Sequence, residues 1–320
     1  MTLEGVDKRE WGTVRGQPHV IAFLRRALAE ERVCHAYLFA GPPGVGKRTT
    51  CRLFARALLC TAPEPPCGSC PSCRLTSSGN HPDLHWIEPG SGSIRIEQVR
   101  ELRRTTALRP FAARRKVFVL VGAEAMTEQA QNALLKTLEE PSGETVVILV
   151  SDAPDRLRET ILSRVQLVRF GLVPAREVEA LLGSRGVDPA AAARLAELAQ
   201  GMPGRVLDRP QLLDMEQRVR GWIDRLIATD RAVEEVADAL EKTPSGSREE
   251  TDALDLCMIE LGRRLRSAAA DPGAARAIAA FVHALAAVDE ARRQLQRNAN
   301  RRLVFDVMAC ALRRAFRERL

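Results

Sequence analysis

A glycine-rich turn, GPPGVGK at residues 41–47, constrains the fold of this 320-residue chain more than any other feature. The apolar segment 35–40 before it predicts a buried strand, and residues 49–60 after it show the apolar spacing of a helix. In loops of this kind, backbone N–H groups and the terminal lysine hold the phosphates of a nucleotide. The order of strand, loop and helix therefore predicts an α/β fold. The candidate nucleotide-binding residues are Gly41, Gly44, Gly46 and Lys47.

The two groups that hold magnesium in an active loop are both missing from the sequence. Arg48 stands where a serine or threonine hydroxyl ligates the metal. Thr49 and Thr50 do not replace it, because each further residue of a helix turns its side chain by about 100°. The strand predicted at 117–121 has no carboxylate before Glu124, where the second metal group belongs. We therefore expect no ATPase activity from this chain alone. ATP or ADP bound without hydrolysis, an empty loop and a simple tight turn stay open as interpretations.

The chain divides into three predicted parts. Residues 1–170 alternate helices with further predicted strands at 84–87 and 145–150, as is typical of a parallel sheet with helices on both faces. Residues 171–208 predict a small helical lid that ends in a GMPG break. Residues 209–320 contain no convincing strand and predict an all-α domain.

Four of the eight cysteines lie close together, at Cys60, Cys67, Cys70 and Cys73. Their C-x6-C-x2-C-x2-C spacing in a Pro- and Gly-rich loop indicates a closed tetrahedral zinc site without an open position for catalysis. An iron–sulfur cluster and unliganded thiols are the alternatives. The remaining cysteines are expected in the core: Cys34, Cys51, Cys257 and Cys310.

The formal net charge of +7 is concentrated in two segments. Residues 95–116 carry a net charge of +6, and residues 261–320 carry +8. Such segments can contact a phosphate backbone, although arginine-rich helix surfaces are also found simply solvated. No apolar run approaches the ~20 residues that span a bilayer, and residues 1–7 lack a signal-peptide core, so we expect a cytoplasmic protein without membrane contact.

Further motifs resemble the clamp-loader branch of the bacterial AAA+ ATPases. NALLKTLEEP at 132–141 and TILSR at 160–164, together with the cysteine cluster, resemble that branch as a whole. The stretches that resemble its delta-prime family are HPD at 81–83, SIRI at 93–96, GMPG at 201–204 and NANRRL at 298–303. The resemblance covers nearly the whole chain. It implies an AAA+ α/β domain at 1–170 with its zinc module at 60–73, the lid at 171–208 and a C-terminal collar for oligomerisation at 209–320.

The resemblance also implies a function. It implies a non-hydrolysing subunit of the DNA polymerase III clamp loader, the complex that places the sliding clamp on primed DNA. The implied partners are tau/gamma and delta subunits, and the clamp and primed DNA through the complex. Arg164, preceded by Ser163, matches an arginine finger that reaches the ATP of a neighbouring tau/gamma subunit. A guanidinium fork suits phosphate oxygens, and an ordinary surface ion pair is the alternative for Arg164.

Two other functions remain open at the level of sequence. An active ATPase of the tau/gamma type would need the magnesium groups that this sequence lacks. A stand-alone DNA-binding protein would use the basic segments and the cysteine loop. We expect little base stacking from it, because stacking on a single strand needs aromatic residues among the basic ones.

Overall fold

The computed structural model describes residues 10–90, 92–141, 144–244, 247–271 and 273–319. Five strands form one parallel sheet in the order β2-β3-β4-β1-β5. The strands are β1 (Ala36–Ala40), β2 (Leu84–Ile87), β3 (Lys116–Val121), β4 (Thr145–Ser151) and β5 (Gln166–Arg169). Because β1 lies between β4 and β5, its carboxyl end, where the glycine-rich turn begins, is next to the ends of these two strands.

Eight helices accompany the sheet and the segment that follows it. They are α1 (Pro18–Ala29), α2 (Lys47–Leu59), α3 (Pro71–Ser77), α4 (Ile96–Thr106), α5 (Glu128–Glu139), α6 (Glu159–Leu162), α7 (Ala175–Gly183) and α8 (Pro189–Ala199). Single 3-10 turns lie at Glu10–Thr13, Ala123–Ala125, Pro154–Arg156 and Pro203–Arg205. The chain then continues as α9 (Leu212–Ala228), α10 (Ala232–Glu241), α11 (Arg248–Ala269), α12 (Ala275–Gln296) and α13 (Arg301–Arg319).

Helices cover the sheet on both faces, because successive strand residues alternate between two apolar cores. Phe39 of β1 packs with Leu24 of α1 and Phe54 of α2 in one core. Leu38, the neighbour of Phe39, packs with Leu134 of α5 in the other. Each of these side chains is fully buried, which stabilises the fold by ~1.5–3 kcal/mol per side chain. The predicted α/β fold class, a parallel sheet with helices on both faces followed by two short helices and an all-helical C-terminal part, is confirmed.

Several predicted bounds differ from the structure. The helix predicted from residue 49 begins at Lys47, so the lysine of the loop belongs to the first helical turn. The NALLKTLEEP stretch at 132–141 lies mostly in a helix that begins earlier, at Glu128, and Thr127 caps this helix by accepting a hydrogen bond from the Ala130 N–H. Strand β5 was not predicted, since only Val168 of its four residues is buried.

The described residues form two compact units, and the division falls between Arg205 and Val206 in the chain. The first unit contains both the sheet and the lid helices α7 and α8, and the second contains α9 to α13. The predicted boundaries at 170 and 208 therefore stay predictions. Within the described ranges, no helix is both long enough and apolar enough to span a membrane.

Candidate functional site

The glycine-rich turn joins the end of β1 to the start of α2. Gly44 and Gly46 have φ angles of +73° and +101°, which side chains other than glycine rarely adopt. Gly46 precedes the first residue of α2, so the turn delivers its backbone to a helix N-terminus. This is the arrangement in which backbone N–H groups and the helix dipole favour a phosphate.

The ammonium group of Lys47 is fully engaged by this chain. Nζ donates to the carbonyl oxygens of Gly41 and Pro42 at 2.6 and 2.5 Å, and it lies 2.6 Å from Oδ1 of Asp152. A lysine has three donors, and all three are used here. The side chain is only 4% exposed. A phosphate would therefore have to displace at least one of these partners to reach Lys47.

Arg48 contacts side chains at the end of β2. Its guanidinium pairs with Glu88 and lies 5.7 Å from the ring centroid of Trp86. Trp86 in turn donates from Nε1 to the same Glu88 oxygen at 2.5 Å. Thr50 donates its hydroxyl to the Gly46 carbonyl at 2.9 Å. Arg48 has no oxygen that could ligate magnesium, and the Thr50 side chain is fully buried.

The end of β3 lacks a metal-binding carboxylate as well. The strand ends at Val121, and Gly122 follows with a left-handed φ of +66°. Glu124, the first carboxylate after the strand, lies in the 3-10 turn and accepts a hydrogen bond from the Asp152 N–H at 3.4 Å. This carboxylate is thus drawn toward the end of β4.

Two contacts that the sequence did not reveal hold the turn from outside. The N–H of Gly204 donates to the Gly44 carbonyl at 2.9 Å, and a Cβ on Gly204 would lie only 2.8 Å from the Gly44 Cα. Gln17, fully buried before α1, donates from Nε2 to Gly171 O at 2.6 Å and to Val45 O at 3.4 Å. A polar residue between Gly16 and Pro18, ahead of an amphipathic helix, was the available signal.

Arg164 lies just beyond α6 and folds back on its own chain. Nη1 donates to the Thr160 carbonyl at 2.9 Å and to the Ser163 hydroxyl at 3.2 Å. Nη2 lies 3.0 Å from Oε1 of Glu139, at the end of α5, and the side chain remains 36% exposed. These partners and those of Lys47 form separate sets, so the structure does not join the two predicted sites.

The four clustered cysteines come together in space. Their sulfur atoms all lie within 4.8 Å of one another. The Sγ atoms of Cys60 and Cys70 are 3.9 Å apart, as are those of Cys67 and Cys73. A zinc tetrahedron with Zn–S bonds of ~2.3 Å has S···S edges of about 3.8 Å, so these residues fit a zinc ion.

Backbone N–H groups also point at the sulfurs, as thiolate ligands require. Cys67 N donates to Cys60 Sγ, Cys70 N to Cys67 Sγ and Cys73 N to Cys70 Sγ, at 3.3–3.4 Å. The backbone N–H groups of Ser69 and Cys70 lower the pKa of Cys67 to about 6. Cys51 and Cys257 are buried as predicted, but Cys310 is exposed on α13, so the prediction of a core position was wrong for Cys310.

The two basic segments differ in their pairing. Many arginines of α11 to α13 are neutralised: Arg264 pairs with Asp224 and Glu260, and Arg302 pairs with Asp238, Glu241 and Asp306. In contrast, Arg103, Arg109, Arg114 and Arg115 form no ion pair within the described ranges. Phe111, an aromatic residue, lies between Arg109 and Arg114 in the sequence.

Comparisons with known proteins identify the family. Residues 16–173, about half of the chain, match the family described as DNA polymerase III, delta subunit. The delta-prime subunit of Bacillus subtilis DNA polymerase III is 35% identical over 187 residues, which are 58% of this chain and 57% of that protein. The delta-prime subunit of Pseudomonas aeruginosa is 47% identical over 134 residues, 41% of each chain. The chain thus spans between two fifths and three fifths of the length of these relatives.

Other similarities are weaker. The tau/gamma subunit of Haemophilus influenzae is 35% identical over 64% of this chain, but only 30% of that protein is covered. A gamma subunit-related protein of known structure from Thermotoga maritima is 18% identical with a TM-score of 0.45, over 92% of this chain and 99% of that one. The delta-prime matches confirm the resemblance drawn from the motifs. Through residues 16–173, the chain belongs to the DNA polymerase III delta subunit family.

Proposed function

We propose that this chain is a clamp-loader subunit of the delta-prime kind, which helps to place the sliding clamp on primed DNA and hydrolyses no ATP itself. The observation that carries the proposal is the engagement of Lys47. Its three donors bind Gly41 O, Pro42 O and Asp152, while Arg48, beside it, pairs with Glu88. The residues that would bind phosphate and metal are used to stabilise the chain's own loop.

Loss of the metal groups has a large expected effect on chemistry. In phosphoryl transfer, magnesium bridges the phosphates and neutralises the charge that develops on them. Neither the residue after Lys47 nor the end of β3 supplies a ligand for it. A subunit of this kind contributes to its assembly through its surfaces and not through its own turnover.

Arg164 is our candidate for a catalytic contribution to a neighbouring subunit. Its guanidinium is partly exposed and is held by Glu139, the Thr160 carbonyl and the Ser163 hydroxyl. Because Glu139 is itself half-exposed, the ion pair is weak and a phosphate can replace it. An arginine given in trans to a bound nucleotide raises hydrolysis by about 10³ to 10⁵. We propose that the receiving ATP belongs to a tau/gamma subunit.

Arg164→Ala in an assembly reconstituted with tau/gamma and delta subunits tests this role. We expect the phase of ATP hydrolysis that belongs to the adjacent site to slow by about 10³, while the assembly still forms. Arg158→Ala is the matched control, since Arg158 is another partly exposed arginine, paired with Glu128 at 2.7 Å. Equal hydrolysis by the Arg164→Ala and Arg158→Ala assemblies would contradict the proposal.

The second candidate is an active ATPase of the tau/gamma type, which the similarity to tau/gamma subunits favours. Incubation of the isolated chain with ATP, magnesium, clamp and primed DNA distinguishes the two functions. Steady turnover by the isolated chain would establish the ATPase and remove the first proposal. We expect none.

We further propose that Cys60, Cys67, Cys70 and Cys73 hold one structural zinc ion. Bound zinc would tie the loop after α2 to the start of α3, where Cys70 caps the helix. The C-terminal helices are proposed as the collar that meets other subunits. Leu303 and Val307, one turn apart on α13, expose apolar side chains that such a contact would bury.

A further inference from the structure

The loop between α4 and β3 presents the most exposed large apolar side chain in the described part of the molecule. Phe111 is 87% exposed, and Leu108 in the same loop is 66% exposed. Pro110 lies between them. Residues of this kind are normally buried, and an apolar cluster left in water with charged neighbours marks a contact surface.

A buried carboxylate holds this loop in a fixed shape. Asp83, which is 1% exposed, accepts hydrogen bonds from the backbone N–H groups of Phe111, Ala112 and Ala113 at 2.6, 2.7 and 2.9 Å. Lys116, at the other end of the loop, donates from Nζ to the Thr105 carbonyl at 2.7 Å. Phe111 is therefore exposed on a loop that is already ordered, which lowers the entropy lost when a partner binds it.

Unpaired positive charge lies in the same loop and at the end of the helix before it. Arg103, Arg109 and Arg114 are exposed, and they have no carboxylate partner within the described ranges. A cavity of about 760 Å³ beside the loop is lined by Leu108, Arg109, Arg114 and Lys116, with Glu144 as its one acidic residue. This surface complements an acidic partner.

We infer that the loop of residues 107–115 is a docking element for another protein, whose surface offers an apolar pocket for Phe111 surrounded by carboxylates. An aromatic side chain flanked by arginines is the composition of an interface hot spot. A protein partner fits better than single-stranded DNA, because Phe111 is the one aromatic residue of residues 107–115 and Leu108 has no aromatic face on which a second base could stack. The inference rests on the proposed function in one respect: the partner is sought within the clamp-loader assembly.

Photocrosslinking from the loop tests the inference directly. A p-benzoylphenylalanine introduced at position 111 is irradiated in the assembly reconstituted with tau/gamma, delta, clamp and labelled primed DNA. The same probe at Leu172, an exposed leucine elsewhere in the first unit, is the control. We expect position 111 to crosslink to a protein peptide that contains Asp or Glu residues, with a yield that falls as salt is raised.

Three results would overturn the inference: a crosslink to the labelled DNA, a crosslink to a peptide without carboxylates, or a yield no higher than that from position 172. With the crosslinked protein purified, Phe111→Ser should weaken its binding about 30-fold, the loss typical of a hot spot, and Leu172→Ser should not. Equal binding by both variants would also overturn it. The proposed function is tested by a different experiment: unchanged ATP hydrolysis in the Arg164→Ala assembly would contradict it without bearing on the docking loop.

Discussion

Replacing Asp83 by asparagine should destabilise the first unit measurably while changing almost nothing in shape. The carboxylate accepts three backbone hydrogen bonds, two of them at Oδ2, from Ala112 and Ala113. An amide in its place keeps one oxygen acceptor and turns an NH₂ group toward at least one of the three N–H donors. In the best orientation, the oxygen keeps Ala112 and Ala113, and the bond from Phe111 is lost.

The magnitude follows from these bonds. A hydrogen bond to a charged group contributes about 1.5–3 kcal/mol, and a neutral one about half as much. One lost bond and two weakened ones would total more than 3 kcal/mol if no water could reach the donors. Phe111 and Ala112 are exposed, so their N–H groups can bond to water instead, and this reduces the expected loss. We expect Asp83→Asn to lower the free energy of unfolding by about 2–3 kcal/mol.

The effect should depend on pH in one direction. Burial alone would raise the pKa of Asp83, but the N–H bonds from Phe111, Ala112 and Ala113, helped by His81, hold it below its ordinary value. A lowered pKa means that the stabilisation is complete above the unfolded value of ~3.9 and is lost as the pH falls through the folded value. The wild-type chain and Asp83→Asn should therefore differ by the full amount at pH values above the unfolded value of ~3.9, and the difference should shrink as the pH falls from there through the lower folded pKa of Asp83.

Amide hydrogen exchange and urea unfolding together measure the stability that Asp83→Asn loses. Amides 111–113 should exchange about 30- to 150-fold faster in Asp83→Asn, as 2–3 kcal/mol requires. Asp155→Asn is the matched control, because Asp155 is exposed and has no side-chain hydrogen bond within the described ranges. If amides 111–113 stay protected and the urea midpoint stays at the wild-type value, Asp83 does not hold the loop.

Three further outcomes are expected. Elemental analysis should find about one zinc per chain. Cys67→Ser should lose zinc to a chelator more readily than the wild-type chain, whereas Cys310→Ser should not. A folded chain without zinc would contradict the metal site. Gly204→Ala should cost about 1–3 kcal/mol in urea unfolding, because its Cβ would lie 2.8 Å from the Gly44 Cα, and wild-type stability would refute that contact. Lys47→Ala should leave ATP turnover of the reconstituted assembly unchanged, whereas a large loss would mean that this loop hydrolyses ATP.

The sequence was sufficient to predict elements with a strong local pattern. The apolar runs of β1, β3 and β4 are buried along almost their whole length, so residues 117–121 and 145–150 could be identified as strands before any contact was known. The cysteine spacing likewise brings the four sulfurs within 4.8 Å because all four lie in one short loop and the helix after it. The strands and the cysteine cluster could both be predicted because each depends on residues that are close together in the sequence.

Features that depend on distant residues could not be predicted in this way. Asp152, the ion-pair partner of Lys47, follows β4 more than 100 residues later in the chain. Strand β5 shows a weak pattern because it lies at the sheet edge and is mostly exposed. The HPD stretch was noted only as a resemblance, yet its Asp83 bonds to Ala113, 30 residues away. In each case the role of the residue or strand depends on contacts with distant parts of the chain, and the local spacing of apolar residues does not reveal these contacts.

The paired arginines of the C-terminal helices have a consequence for heat resistance. Arg302 contacts three carboxylates and Glu260 contacts Arg263 and Arg264, so these charges form networks and not isolated pairs. The free-energy penalty for dehydrating charged groups falls as temperature rises, and networks of this kind then become more favourable. The second unit should consequently melt at a temperature that drops when sodium chloride is added, since dissolved ions weaken the same attractions.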